Sequence, residues 1–195
     1  EKRFINFLTD EKNFKKLKII QGDVREVLPE ISLNLKKYKV VGNIPYYLTN
    51  HLFYLFQQLK NPPAIIVLTI QKEVAERIVA KPPKATQLAN IINLWAQPKI
   101  LFNLTSKDFF PAPKVNSSVI KLEIKPFSER LKNEEAIIAL IKIGFRQPRK
   151  TLLNNLAEKF DKNILKNIFK ELKLSEKIRP AELSLEMWIT LNKML

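Results

Sequence analysis

Cysteine is absent from this sequence and histidine occurs once, as His51. The first absence removes disulfide scaffolds, thiolate nucleophiles and cysteine-ligated metals. The second leaves no histidine metal cluster or catalytic triad to assemble, so no metal site is expected and His51 takes an ordinary surface or core role. Glycine is nearly as scarce, with three in 195 residues, at positions 22, 42 and 144. Three are too few for a glycine-rich phosphate loop. The longest apolar stretch, Ala64 to Ile70, is far short of the ~20 residues that cross a bilayer, and nothing near Glu1 has the pattern of a signal peptide. The chain therefore reads as cytoplasmic, with no membrane partner. Acidic residues are also few: 19 Asp and Glu against 34 Lys and Arg give a formal charge of +15. A charge of that size repels the chain from itself unless an anionic partner offsets it, with nucleic acid the first candidate and an acidic membrane surface the second.

What is present reads first as strands alternating with helices. Leu17 to Ile20 is a short apolar run ending at Gln21-Gly22-Asp23, the pattern of a buried strand stopping at a turn. Tyr38 to Val41 ends at Gly42-Asn43-Ile44-Pro45, and Ala64 to Ile70 is followed by a charged helical stretch, Gln71 to Val79. Between these two strands Thr49 to Leu59 supplies a helix. This alternation predicts an α/β fold with a parallel, doubly wound sheet. A helix from about Ala85 to Trp95 precedes two extended runs, Lys99 to Leu104 and Ser117 to Ile124, expected to form an antiparallel pair at the sheet edge. Beyond Pro126 the spacing is purely helical, and Ser184 is the expected N-cap of a last helix with Glu186 in its first turn. A domain boundary is expected near residue 126, giving domains 1–126 and 127–195. The charge excess occurs on both sides: 20 basic against 10 acidic residues up to Pro126, and 14 against 9 after it. A basic surface spanning both parts suits a folded RNA.

The segment that carries chemistry is Asn43-Ile44-Pro45-Tyr46-Tyr47. It follows a strand directly, so in an open parallel sheet it lies at the carboxyl edge where ligands bind. Its residues suit an exocyclic adenine amine, a weak nucleophile whose lone pair is delocalised into the ring. The side-chain oxygen of Asn43 and the carbonyl of Ile44, beside the fixed Pro45, can accept both amine hydrogens and aim the lone pair at a methyl donor. Tyr46 can stack on a base that is single-stranded or extruded from a helix. A strand-to-helix turn with its tyrosines in the core fits the pentapeptide alone equally well.

Asn43-Ile44-Pro45-Tyr46 resembles the Asn-(Leu/Ile)-Pro-Tyr signature of ribosomal RNA adenine N6-dimethyltransferases, and other segments agree in order and spacing. Gly22-Asp23-Val24 resembles the family's Gly-Asp-Ala turn, which implies that Asp23 and Val24, with Asn43, bind the donor S-adenosylmethionine. Gln71 to Arg77 resembles the family's strand-to-helix segment. Phe109 to Val119 is similar to its Phe-x-Pro-x-Pro-Lys-Val-x-Ser loop, which implies that Phe109 faces the target base opposite Tyr46. Phe145 to Leu152, followed by Asn154-Asn155-Leu156, resembles a pattern of the family's small-subunit branch. Arg146, Arg149 and Lys150 are then expected to contact RNA phosphates, the alternative being a solvated helix face.

The resemblance implies a Rossmann-like class I methyltransferase with a mostly parallel sheet and a small all-α C-terminal domain. It also implies dimethylation of two adjacent adenosines in the 3′-terminal hairpin of 16S ribosomal RNA, and a partner in the 30S pre-ribosomal particle, engaged as a monomer. Two departures stand out. The family's Gly-x-Gly-x-Gly loop and the acidic residue after it are not found, so the chain is expected to be N-terminally truncated and inactive alone. Pro148 stands where the family usually has Arg, with the loss of a cation and a helical N–H. Rival readings are a non-catalytic ribosome-assembly factor, a large-subunit methyltransferase of the macrolide-resistance type and a DNA adenine methyltransferase.

Overall fold

The computed structural model describes residues 18–195. Leu17, the first residue of the expected strand Leu17 to Ile20, therefore lies outside the described residues. Strands β1 (Lys39–Asn43), β2 (Ile65–Gln71), β3 (Ala96–Leu104) and β4 (Ser117–Ile124) form one sheet in the order β1-β2-β4-β3. β1 and β2 are parallel, with Asn43 opposite Thr69. The β2–β4 and β4–β3 ladders are antiparallel. The described sheet thus has one parallel ladder and two antiparallel ones, and the expected antiparallel pair is present with β3 at the edge. Lys18 to Ile20 join no strand among the described residues, contrary to expectation. The physical reason is the lack of a neighbour: β1 is an edge strand in the described sheet, and Ile20 is half exposed.

β2 is central and alternates as a half-buried strand should, with Ile66, Leu68 and Ile70 fully buried. Around the sheet run α1 (Val24–Ser32), α2 (Thr49–Gln58), α3 (Lys72–Val79) and α4 (Gln87–Trp95). α4 starts at its N-cap, Thr86, whose hydroxyl accepts from the Ala89 N–H. It ends without a linker: Trp95 closes the helix, Ala96 opens β3, and both are buried.

After β4 the chain is helical as expected, with α5 (Glu134–Gly144), α6 (Leu152–Leu156), α7 (Lys162–Glu171) and α8 (Leu185–Met194). Ser184 caps α8 by accepting from the Met187 N–H. Gly144 exists because of Trp188: a Cβ there would meet the fully buried indole at 2.3 Å. α7 ends on Lys173 at φ 54°, with the Leu174 N–H bonded to the Phe169 carbonyl, in the left-handed cap position that glycine usually fills. The apolar core runs continuously through residue 126, joining Ile92 and Trp95 to Ile137, Ile141 and Trp188. A nearly buried ion pair, Arg130–Glu134 at 2.8 Å, fastens the start of α5, and Arg130 also donates to the Gln57 carbonyl at the end of α2.

Candidate active site and basic turn

β1 delivers Asn43 to the carboxyl end of the parallel pair, two residues further than the expected strand end at Val41. There the chain turns at Pro45 into a short 3-10 turn, Tyr46–Leu48, whose Leu48 N–H bonds the Pro45 carbonyl. The buried Thr49 hydroxyl donates to the Tyr46 carbonyl and locks this turn onto α2. Asn43 is exposed, and among the described residues its side-chain amide has no hydrogen-bond partner. Both its oxygen and its nitrogen are free for a ligand. Ile44 packs against the core, Tyr46 is half-buried and Tyr47 is 80% exposed.

The second expected segment converges on the first. The Tyr46 phenol and the Ser117 hydroxyl lie 2.7 Å apart, and Ser117 is the first residue of β4, fully buried. The loop before it is built from its own polar groups. Asp108 accepts from both the backbone N–H and the hydroxyl of Thr105, the Asn116 side chain accepts from the Ser106 N–H, and the Asn116 carbonyl accepts from the Lys72 N–H. Phe109 is half-buried in this loop and Phe110 is fully exposed. The role of Ser117 was not assigned from sequence; its only signal was its place as the last conserved-type position of the Phe109 loop pattern.

Asp23 is the N-cap of α1, and Val24 is the exposed first residue of that helix. One Asp23 oxygen accepts from the Arg25 backbone N–H at 2.9 Å, and both oxygens accept from the Arg25 guanidinium at 2.5–3.0 Å. The Arg25 side chain, and after it the backbone N–H, lowers the Asp23 pKa to about 2. Asp23 is thus a firm carboxylate but a saturated one, a contact the sequence reading overlooked. The pair is exposed and hence weak, so a ligand amine can take Arg25's place. His51 is exposed, in keeping with an ordinary surface role.

The basic cluster corrects the expectation of a helix face. Residues 145 to 150 form a turn between α5 and α6. Pro148 is the second residue of the β-turn closed by Lys150 N–H to Gln147 carbonyl, where its fixed φ is favourable and no helical N–H is lost. Asn155, fully buried, clamps this turn: it accepts from the Gln147 N–H and donates to the Gln147 and Thr151 carbonyls. Arg149 and Lys150 are exposed and in no ion pair among the described residues, whereas Arg146 is paired with Glu158 at 2.5 Å.

A cavity of about 1130 Å³ lies away from all these residues, between α2, α4 and α5, and includes Tyr54, Trp95 and Arg130. A smaller cleft of about 440 Å³ adjoins the Phe109 loop, between Lys72, Glu76, Lys114 and Asn116. Among the described residues no group of three His, Cys, Asp or Glu is placed to hold a metal, and no helix is long and apolar enough to cross a membrane.

Comparison with known proteins extends these observations. Residues 1–195 match the family described as ribosomal RNA adenine dimethylase. The chain is 34% identical to the ribosomal RNA small subunit methyltransferase A of Crocosphaera subtropica, over 98% of this chain and 74% of that protein. It is 37% identical to the protein of the same name from Caldanaerobacter subterraneus, over 92% and 70%. In structure it resembles a dimethyladenosine transferase from Plasmodium falciparum, with TM-score 0.78, 23% identity and coverage of 100% of this chain and 80% of that one. It also resembles the 23S rRNA methyltransferase ErmE, with TM-score 0.77 and 16% identity over 100% and 79%. At those identities the two structures bear on the fold alone.

Proposed function

The chain belongs to the ribosomal RNA adenine dimethylase family, and we propose that the edge of the sheet from Asn43 to Tyr46, with Phe109 opposite, is where the adenine amine is held. The protein is a Rossmann-like methyltransferase that dimethylates adenine N6 in 16S ribosomal RNA. The observation that carries the site assignment is the Tyr46–Ser117 hydrogen bond, which ties the Asn43 motif to the Phe109 loop.

Asn43 accepts one N6 hydrogen through its side-chain oxygen and the Ile44 carbonyl accepts the other, while Pro45 fixes the angle between them. This localises the amine lone pair and orients it, the kind of preorganised contact worth about two to three orders of magnitude in rate. Tyr46 and Phe109 hold the base by stacking on its faces. S-adenosylmethionine, when bound, supplies the methyl group already activated on a sulfonium. The residues present fit such a donor: Asp23, the N-cap of α1, is a carboxylate suited to an adenine amine once Arg25 moves aside, with Val24 beside it and the Asn43 amide open. A second methylation requires the monomethylated amine to return to the same acceptors.

This reading divides the chain into a catalytic part, residues 1–126, and an RNA-contacting helical part, residues 127–195, with Arg146, Arg149 and Lys150 on RNA phosphates. The substrate is two adjacent adenosines in the 3′-terminal hairpin, presented by a 30S pre-ribosomal particle to a cytoplasmic monomer. The test is single-turnover methylation of 30S particles by the full-length enzyme carrying Asn43→Ala. The expected result is a fall of about 100-fold or more at saturating donor. A near-normal rate with donor bound would overturn the assignment.

A further inference from the structure

One amine site and two neighbouring adenosines leave the second base in need of a resting place while the first is held. The Phe109 loop offers one. Phe109 has extended backbone, φ −126° and ψ 149°, so the side chains of Phe109 and Phe110 leave the chain on opposite sides. The first is half-buried and the second stands entirely in water, at 102% relative exposure. This exposure does not come from a loose loop. The segment is pinned at its start by Thr105 and Asp108, across its neck by Ser106 and Asn116, to α3 by Lys72 and Asn116, and at its end by Ser117 and Tyr46.

Cations lie on both sides of the exposed ring in sequence, within the same loop. Lys107 and Lys114 are exposed and in no ion pair among the described residues. The nearby carboxylates are partly engaged: Asp108 is taken by Thr105, and Glu76, which shares the small cleft with Lys114 and Glu73, pairs with Lys72 at 3.8 Å. An exposed aromatic ring with exposed cations three and four residues away in the same pinned loop suits single-stranded nucleic acid, the ring taking a base and the cations its phosphates.

We propose that Phe110 is a stacking platform for the nucleotide next to the target adenosine, with Lys107 and Lys114 on the adjoining phosphates. The proposal rests on the reading of Asn43 to Tyr46 as the adenine site. Phe110 thereby sets which neighbour waits outside while its partner reacts.

The test uses the full-length enzyme and a hairpin RNA carrying 2-aminopurine, in one version at the target position and in another at its neighbour. Phe110→Ala should abolish the fluorescence change of the neighbour probe and leave that of the target probe, and Phe110→Tyr should restore it. With unlabelled RNA, Phe110→Ala should weaken binding roughly tenfold, and the loss should vanish when the neighbour is made abasic. An equal loss on both RNAs, or none on either, would overturn the proposal. A target probe insensitive to Tyr46→Ala would instead overturn the site assignment, leaving Phe110 to be judged on the neighbour probe alone.

Discussion

The phenol of Tyr46 and the hydroxyl of Ser117, 71 residues apart in sequence, are joined by a 2.7 Å hydrogen bond at the carboxyl edge of the sheet. It couples the turn after β1 to the first residue of β4, although β2 lies between those strands. The Tyr46 ring is therefore aimed by a residue from the opposite segment.

Tyr46→Phe and Ser117→Ala should each slow single-turnover methylation several-fold, and the double variant should be no slower than the worse single. A hydrogen bond of this kind contributes about 1 kcal/mol, and the two changes remove the same one. Tyr46→Ala, which also removes the ring, should cost one to two orders of magnitude, as stacking is worth roughly 1–3 kcal/mol. Additive losses in the double variant would mean that the bond does not aim the ring.

Asp23 titrates at about 2 because Arg25 and the cap N–H favour its charged form. A carboxylate whose folded pKa is depressed contributes stability that is present above its ordinary value of 3.8 and is lost as pH falls through about 2. Arg25→Gln should raise the midpoint toward 3.8 without reaching it, since the backbone N–H remains. Carbon-detected NMR titration of the Asp23 carboxyl measures this directly. The same variant should bind the donor at least as well as wild type, because two acceptor positions are freed; a large loss would show that Arg25 itself grips the donor.

In the basic turn, Arg149→Gln with Lys150→Gln should lower the log–log salt slope of RNA binding by up to about two units, by analogy with the B-DNA value of about 0.9 per phosphate. Arg146→Gln should change it less, because Glu158 already occupies that guanidinium. Asn155→Leu removes no charge but leaves the Gln147 N–H without its partner, for a loss of roughly 1–3 kcal/mol in stability. Filter binding from low to moderate salt, with donor affinity as control, checks the charge variants, and urea denaturation checks Asn155→Leu. An unchanged slope in the double variant would mean that the turn does not touch phosphate.

Gly144→Ala should destabilise the protein by about 1–2 kcal/mol, the cost of overpacking less the gain in helix propensity. The new methyl group would overlap Trp188, which is fully buried beside Phe145 and has no room to retreat. Urea denaturation is the measurement, and a neutral result would mean that the indole can slide along α8.

Much of this was legible in the sequence where the signal is local. β2 announced itself as a continuous apolar run, α2 by apolar spacing, Ser184 by its capping chemistry and the candidate edge by an apolar run that ends just before Gly42 and Asn43. What was not legible depended on distant partners. Lys18 to Ile20 has the composition of a buried strand, but a strand is made by its neighbour, and the described sheet supplies none. β3 begins three residues earlier than expected because α4 passes straight into it, and Pro98 is tolerated there on an edge strand. The stretch from Phe145 to Leu152 kept helical spacing, yet Pro148 and the Asn155 clamp make it a turn. The Arg25 pairing lay within reach, being two residues from a carboxylate already singled out, Asp23.

The junction of Trp95 and Ala96 bears on which length changes this chain can accumulate. With no residue between helix and strand, a single insertion would rotate every later side chain of β3 to the other face of the sheet, and would pull the Trp95 carbonyl from the Lys125 N–H it accepts. Drift in loop length should therefore be strongly suppressed at this point and tolerated on either side, in the segments around Lys81 to Lys84 and Pro126 to Asn133. Sequences that diverge in composition would still keep this spacing, so the count of residues from the start of α4 to the end of β3 is a sharper register mark for alignment than any single side chain within it.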